Sequence, residues 1–132
     1  MVGENMTSEE ISVWVSAYIE IQQDQTRWRA DDPLSWSVDR FMIGTSMAAQ
    51  PEDCWRAILE VLRRRPPESV INMLAAGPLE DLIENCGPQF IDRIEAEARG
   101  NPAFRQLLGG VWKSSTDAIW ARVENARGNT RW

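Results

Sequence analysis

The residues with the most chemical capacity are carboxylates crowded between positions 80 and 97. Glu80, Asp81 and Glu84 fall in one helical stretch, and Asp92, Glu95 and Glu97 fall in the next. Glu80 and Glu84 share a helix face at i and i+4, and Asp92 and Glu95 share another at i and i+3. Two antiparallel helices carrying such pairs could offer hard oxygen ligands to Mg²⁺ or Mn²⁺, which makes a carboxylate metal-dependent hydrolase one expectation. Against it, acids in the first turn of a helix stabilise the helix itself, and Arg93, Arg99 and Arg105 lie near enough in sequence to neutralise the remainder. A metal site shared between two helices usually adds Glu-x-x-His pairs, and the chain has no histidine. The expectation is therefore no metal, no cofactor and no catalytic residue, with Glu80, Asp81, Glu84, Asp92 and Glu95 forming an acidic recognition face.

Other chemistry is excluded by missing parts. Ser8, Ser35, Ser37, Ser69, Ser114 and Ser115 lack both a G-x-S-x-G elbow and an imidazole base, and no glycine-rich phosphate loop is present. Cys54 and Cys86 are the only cysteines, and each sits in an apolar helical pattern where a reduced thiol behaves as a small hydrophobe. Among seven tryptophans, Trp14, Trp36, Trp55 and Trp120 fall in apolar stripes and are expected in the core. Trp28, between Arg27 and Arg29 in a polar connection, lies off any stripe. It has the composition of an interface anchor and joins the candidate partner-binding residues.

A net charge of −6 opposes the phosphate attraction that dominates nucleic-acid binding, so no nucleic-acid partner is expected. Thirteen of the fourteen basic residues are arginine, which favours fixed bidentate pairing with carboxylates. No stretch approaches the ~20 apolar residues of a spanning helix, and Met1–Asn5 carry neither a basic residue nor an apolar run. A cytoplasmic chain without a membrane partner is the expectation.

The elements that must position these residues read as helices throughout. Thr7 and Glu10 have the spacing of a capping box ahead of Ile11, Trp14, Val15, Tyr18 and Ile21. Trp36, Phe41 and Met42 open a second apolar stripe, and Pro51 opens a third helix that Arg63–Arg65 and Pro66 close. Gly77-Pro78 and Gly87-Pro88 each read as a helix stop followed by a helix start. Asn101-Pro102 opens another helix, and Ser115 or Thr116 caps the last. Gly109-Gly110 reads as a tight corner that turns Val111 and Trp112 back into the core. The fold class is all-α, one domain over 1–132 with 1–6 and 128–132 frayed. It contains seven or eight short helices in a compact bundle or a short stacked-hairpin array.

Three segments carry a resemblance: Leu74-Ala75-Ala76-Gly77-Pro78-Leu79-Glu80-Asp81-Leu82, Phe90-Ile91-Asp92-Arg93-Ile94-Glu95-Ala96-Glu97-Ala98, and Phe104 through Gly109-Gly110-Val111-Trp112. Over roughly 51 to 123 the chain resembles a family of small bacterial proteins of unknown function. The resemblance directs attention to Glu80, Asp81, Asp92, Glu95 and Trp112 as signature positions, and Gly77, Pro78, Gly87, Gly109, Gly110 and Trp112 are expected to be structural ones. The expected role is a non-enzymatic protein-interaction domain, of the immunity or accessory kind, that binds a protein partner through the acidic face. A self-associating structural protein, such as a homodimer, is a further alternative.

Overall fold

The computed structural model describes residues 5–46 and 50–130, and every regular element among them is helical. Helix α1, Ser8–Gln22, begins with the expected capping box: Thr7 Oγ1 accepts from the Glu10 amide, and Glu10 Oε1 accepts from the Thr7 amide at 2.8 Å. A 3₁₀ turn at Gln25–Arg27 leads to α2, Trp36–Ser46. Helix α3, Pro51–Arg63, starts on proline and ends where Arg65 adopts φ +50 ahead of the two prolines. Helices α5, Pro102–Leu108, and α6, Asp117–Arg127, are capped by Asn101 and Thr116, whose side-chain oxygens accept from the Phe104 and Ile119 amides.

The correction to the expected seven or eight helices lies between α3 and α5. Neither Gly77-Pro78 nor Gly87-Pro88 stops the chain. Residues 68–100 form one long broken helix, α4, made of Glu68–Leu74, a π-turn at Ala75–Leu79 and Glu80–Gly100. The described residues thus hold six helices. Pro78 cannot donate to the ladder, and its ring would clash with the carbonyl four residues back in an α-helix. The π-turn shifts the bonding instead, and the Glu80 amide reaches the Ala75 carbonyl five residues back. Ahead of Pro88 the ladder is relieved by a bend at Cys86, at φ −133 and ψ 20.

The apolar pattern explains why the helix continues. Val70, Leu74, Pro78, Leu82, Cys86, Phe90, Ile94 and Ala98, every fourth residue, are all buried. On a straight helix of 3.6 residues per turn such a row drifts by about 40° at each step and would wind out into solvent. The π-turn and the Cys86 bend redirect the axis, and the other helices cover the row: α1 meets its first segment, α2 and α3 meet the π-turn, and α2, α3 and α6 all meet Glu80–Gly100. The buried hydrophobic residues other than Ala17 and Ile21 form one contiguous cluster.

Two aromatic groups fill that cluster. Phe41 lies 4.5 Å from the Trp14 ring and edge-on to Tyr18 at 4.9 Å, and Trp55 packs against Phe90 and Phe104. Trp120 is also buried, but Trp36, expected in the core, is 36% exposed, and Met42 beside Phe41 also faces out. Cys54 and Cys86 are free and buried, and burial pushes the Cys54 thiol up to about 12.

The chain ends that are described are tied down. The Met6 amide donates to Asp53 Oδ1, the Met6 carbonyl accepts from Arg56, and the Thr130 amide donates to the Arg127 carbonyl. Residues 1–4, 131 and 132 lie outside the described residues.

Two outcomes are expected from this packing. A Cβ at Gly44 would sit 2.4 Å from Cys54 Sγ, so Gly44→Ala should lower stability by about 1–3 kcal/mol in chemical denaturation. A Cβ at Gly77 meets nothing within 4 Å, so Gly77→Ala should be neutral or stabilising. Arg63, then Arg64, hold the Glu60 carboxyl down at about 2, and Arg64 reaches on to Ser12 and Ser16 of α1. Because the folded value lies below the unfolded one, this clasp stabilises fully above about pH 4.5 and its contribution fades between there and pH 2. The stability difference between wild type and Glu60→Gln, followed by thermal melts, should shrink over that window.

Candidate functional site

The acidic residues divide by fate. Asp92 and Glu95, one turn apart on α4, both accept from Arg122 of α6, with Glu95 held by two guanidinium nitrogens. The Arg122 hydrogen bond lowers the Glu95 carboxyl from its ordinary range. Glu97 accepts from the Asn101 side chain. Glu80 Oε1 takes the Trp112 amide at 3.0 Å, while its carbonyl takes the Ser114 hydroxyl. Glu84 is exposed. Among the described residues no group of three or more potential ligands lies together to hold a metal ion, because the two helical pairs are each turned toward a different neighbour.

Trp112 occupies the opposite environment from the one expected. Val111 does turn into the core, but Trp112 is 78% exposed. The preceding corner is fixed by amides of Gly109 and Gly110 bonding back into α5, and by the approach of Thr130 O to within 2.8 Å of where a Gly109 Cβ would lie. The Val111 carbonyl accepts from Arg127, so the backbone on both sides of the indole is held while the ring itself stands in solvent. Gly87 is likewise a close-approach position, where Ile119 and Ser115 lean on the Cys86 bend. Gly77 and Pro78 lie in the π-turn.

That turn forms one wall of a cleft which brings together two candidates from opposite ends of the chain. A lobe of about 200 Å³ lies between Tyr18, Phe41, Met42, Pro78 and Asp81. It adjoins a second lobe of about 290 Å³ edged by Trp28, and Gln22, Val38 and Met73 line both. Trp28 is half-exposed and oriented by its indole N–H, which donates to the Ile21 carbonyl at 3.0 Å. The Arg27 guanidinium makes a two-point bond to Asp32, the fixed pairing that the arginine bias suggested. Burial raises the Asp81 carboxyl above its ordinary range, with Glu80 and Glu84 adding to the effect. Tyr18 has the one buried side-chain polar atom with no hydrogen-bond partner among the described residues. Burial raises its phenol as well, and Gln22 one turn along opposes this more weakly.

A third surface was not signalled by any motif. Trp36 and Arg40 stand between two open hollows of about 510 and 350 Å³ on the outer side of α1 and α2. Val13 and Ile43, 62% and 53% exposed, border them, and Glu9, Glu10 and Asp39 complete the edge. The Arg40 guanidinium lies 5.5 Å from the Trp36 ring and 5.7 Å from Trp14. The sequence did carry a signal here: Val13 and Ile43 are apolar at positions one helical step away from the buried stripes of α1 and α2.

A model of a family of unknown function, DUF6869, matches residues 22–130. The family is one of unknown function, as the resemblance implied, and the matched range includes residues 51 to 123. No curated protein and no solved structure matches the chain.

The Arg122 clasp makes a checkable outcome. In Arg122→Ala the Glu95 carboxyl should titrate higher, approaching the ordinary glutamate value in an NMR titration. Since the clasp lowers the folded value, its stabilising effect is present above the unfolded glutamate range and is lost as pH falls through the lowered one. The melting temperatures of variant and wild type should therefore converge in acid.

Proposed function

Because the chain belongs to the DUF6869 family of unknown function, its role has to be read from its own surfaces, and we infer that it is a protein-binding module. One observation carries this reading: Val13, Trp36 and Ile43 present apolar surface to solvent along one groove, with Arg40 stacked at its centre. Exposed apolar surface edged by polar residues is the composition of an interaction face, and tryptophan and arginine are the residues that most often anchor one. The acids at the edge, Glu9 and Asp39, favour a partner that offers apolar side chains together with basic ones. A larger protein that this chain accompanies or restrains, as accessory and immunity proteins do, is the class of partner that fits. No catalytic step enters this reading.

A second reading keeps the interface on the acidic face, where Trp112 stands exposed beside Glu80 and Glu84. It is favoured by the fixed backbone under the indole, since a pre-positioned anchor loses little freedom on binding. Its weakness is that Asp92 and Glu95 are already engaged by Arg122, so that part of the face has less charge to offer.

Affinity capture with tagged wild type, Ile43→Asp and Trp112→Ala separates the two. Both substitutions fall on exposed side chains and should leave melting temperatures nearly unchanged. A stoichiometric protein partner should be retained by wild type and Trp112→Ala, and bound at least about tenfold more weakly by Ile43→Asp. Loss in Trp112→Ala alone would move the interface to the acidic face, and full retention by both variants would overturn the groove and the acidic face alike. Light scattering of the same proteins tells whether the partner is a second copy: a dimer that Ile43→Asp converts to monomer would assign the groove to self-association.

A further inference from the structure

We propose that the cleft between α1, α2 and the π-turn of α4 is a binding site for a small organic cation, an amine carried on a flat or short apolar body. This goes beyond the protein-binding reading and shares only Asp39 with it.

Size is the first argument. A dry apolar cavity of about 150 Å³ accepts a benzene molecule, so the inner lobe of about 200 Å³ has room for one ring and a short arm. With the outer lobe the cleft enters the range of about 300–1,000 Å³ common to small-molecule sites. Its walls are apolar and adaptable, formed by Val38, Phe41, Met42, Met73 and Pro78.

The polar groups give the ligand its chemistry. Tyr18, 1% exposed, lines the inner lobe with Gln22, and Gln22 is the neighbour of its hydroxyl. Asp81 lies in the same wall, and among the described residues no arginine or lysine pairs with it, in contrast to Glu52, Glu60, Asp92 and Glu95. Asp39, in the wall of the outer lobe, is also without a cationic partner among the described residues. Arg29 is the one basic side chain in the lining, and it pairs with Asp31. A cation entering the cleft therefore meets uncompensated carboxylates, while its body replaces the solvent in contact with the methionines and Phe41. The Gln22 side-chain carbonyl, which lines both lobes, then offers an acceptor for a remaining N–H bond. Pro78, in the π-turn, and Asp81, three residues on, stand in one wall; such turns recur at functional sites.

The test uses 2-phenylethylamine, tryptamine and butylamine, each beside its uncharged alcohol, titrated into the full chain and followed by amide chemical shifts. The expected result is saturable perturbation centred on Gln22, Val38, Met73 and Asp81, with at least one amine bound tenfold or more tightly than its alcohol. Asp81→Asn should abolish that preference while leaving the alcohol's affinity unchanged. Failure of all three amines to perturb the cleft at millimolar concentration overturns the proposal, as does an Asp81→Asn protein that keeps the preference. Trp112→Ala and Ile43→Asp should bind the amines as wild type does, so the protein-binding reading can fail while this one stands.

Discussion

The fold depends on how the chain passes two prolines without ending a helix. An interior proline ordinarily removes one hydrogen bond and forces a clash, at about 3 kcal/mol. Both costs are contained in α4 by local rewinding: five-residue bonding around Pro78, and a single non-helical residue, Cys86, ahead of Pro88. What compensates is the unbroken row of apolar residues at every fourth position, each of which would lose its packing if the helix ended at either point. The other helices are arranged by this one, because each needs a level of the row against which to bury its own stripe. Gly87 admits α6 to the bend, and Gly44 admits the Cys54 side chain to the back of α2.

Polar groups are then distributed with few left over. Arginines do most of the tying: Arg27 to Asp32 and Glu20, Arg56 to Asp53 and the Met6 carbonyl, Arg64 across to α1, Arg122 across to α4, Arg127 onto the Val111 carbonyl. A planar fork can serve two acceptors on different elements at once, which a lysine ammonium does less selectively. Each bond to a carboxylate lowers the charge that group shows to solvent. The long acidic stretch of the sequence is therefore much less of an acidic surface in the folded chain.

The groups that escape this pairing mark where the molecule faces outward. The open groove of Trp36, Arg40 and Ile43 and the bare indole of Trp112 suit a macromolecular partner, because they are broad and exposed. The cleft beside Asp81 suits a small one, because its walls are largely apolar and carry a carboxylate that no arginine pairs with. The three places differ in their anchoring residues, Trp36 with Ile43, Trp112, and Asp81.

The all-helical class, the caps at Thr7, Asn101 and Thr116, the proline start of α3 and most of the core were legible in the sequence, because they depend on residues a few positions apart. The continuity of α4 was legible too, in the four-residue row, but glycine-proline punctuation outweighed it: local turn chemistry says stop wherever packing does not say otherwise. Trp28 and Asp81 could be singled out by type, yet their meeting in one cleft could not, nor could the capture of Asp92 and Glu95 by an arginine some thirty residues away. Trp112 and Trp36 show the same division. Apolar character and spacing set which faces could be buried. Which of them actually were was decided by the number of neighbouring surfaces the folded helices had available to cover them.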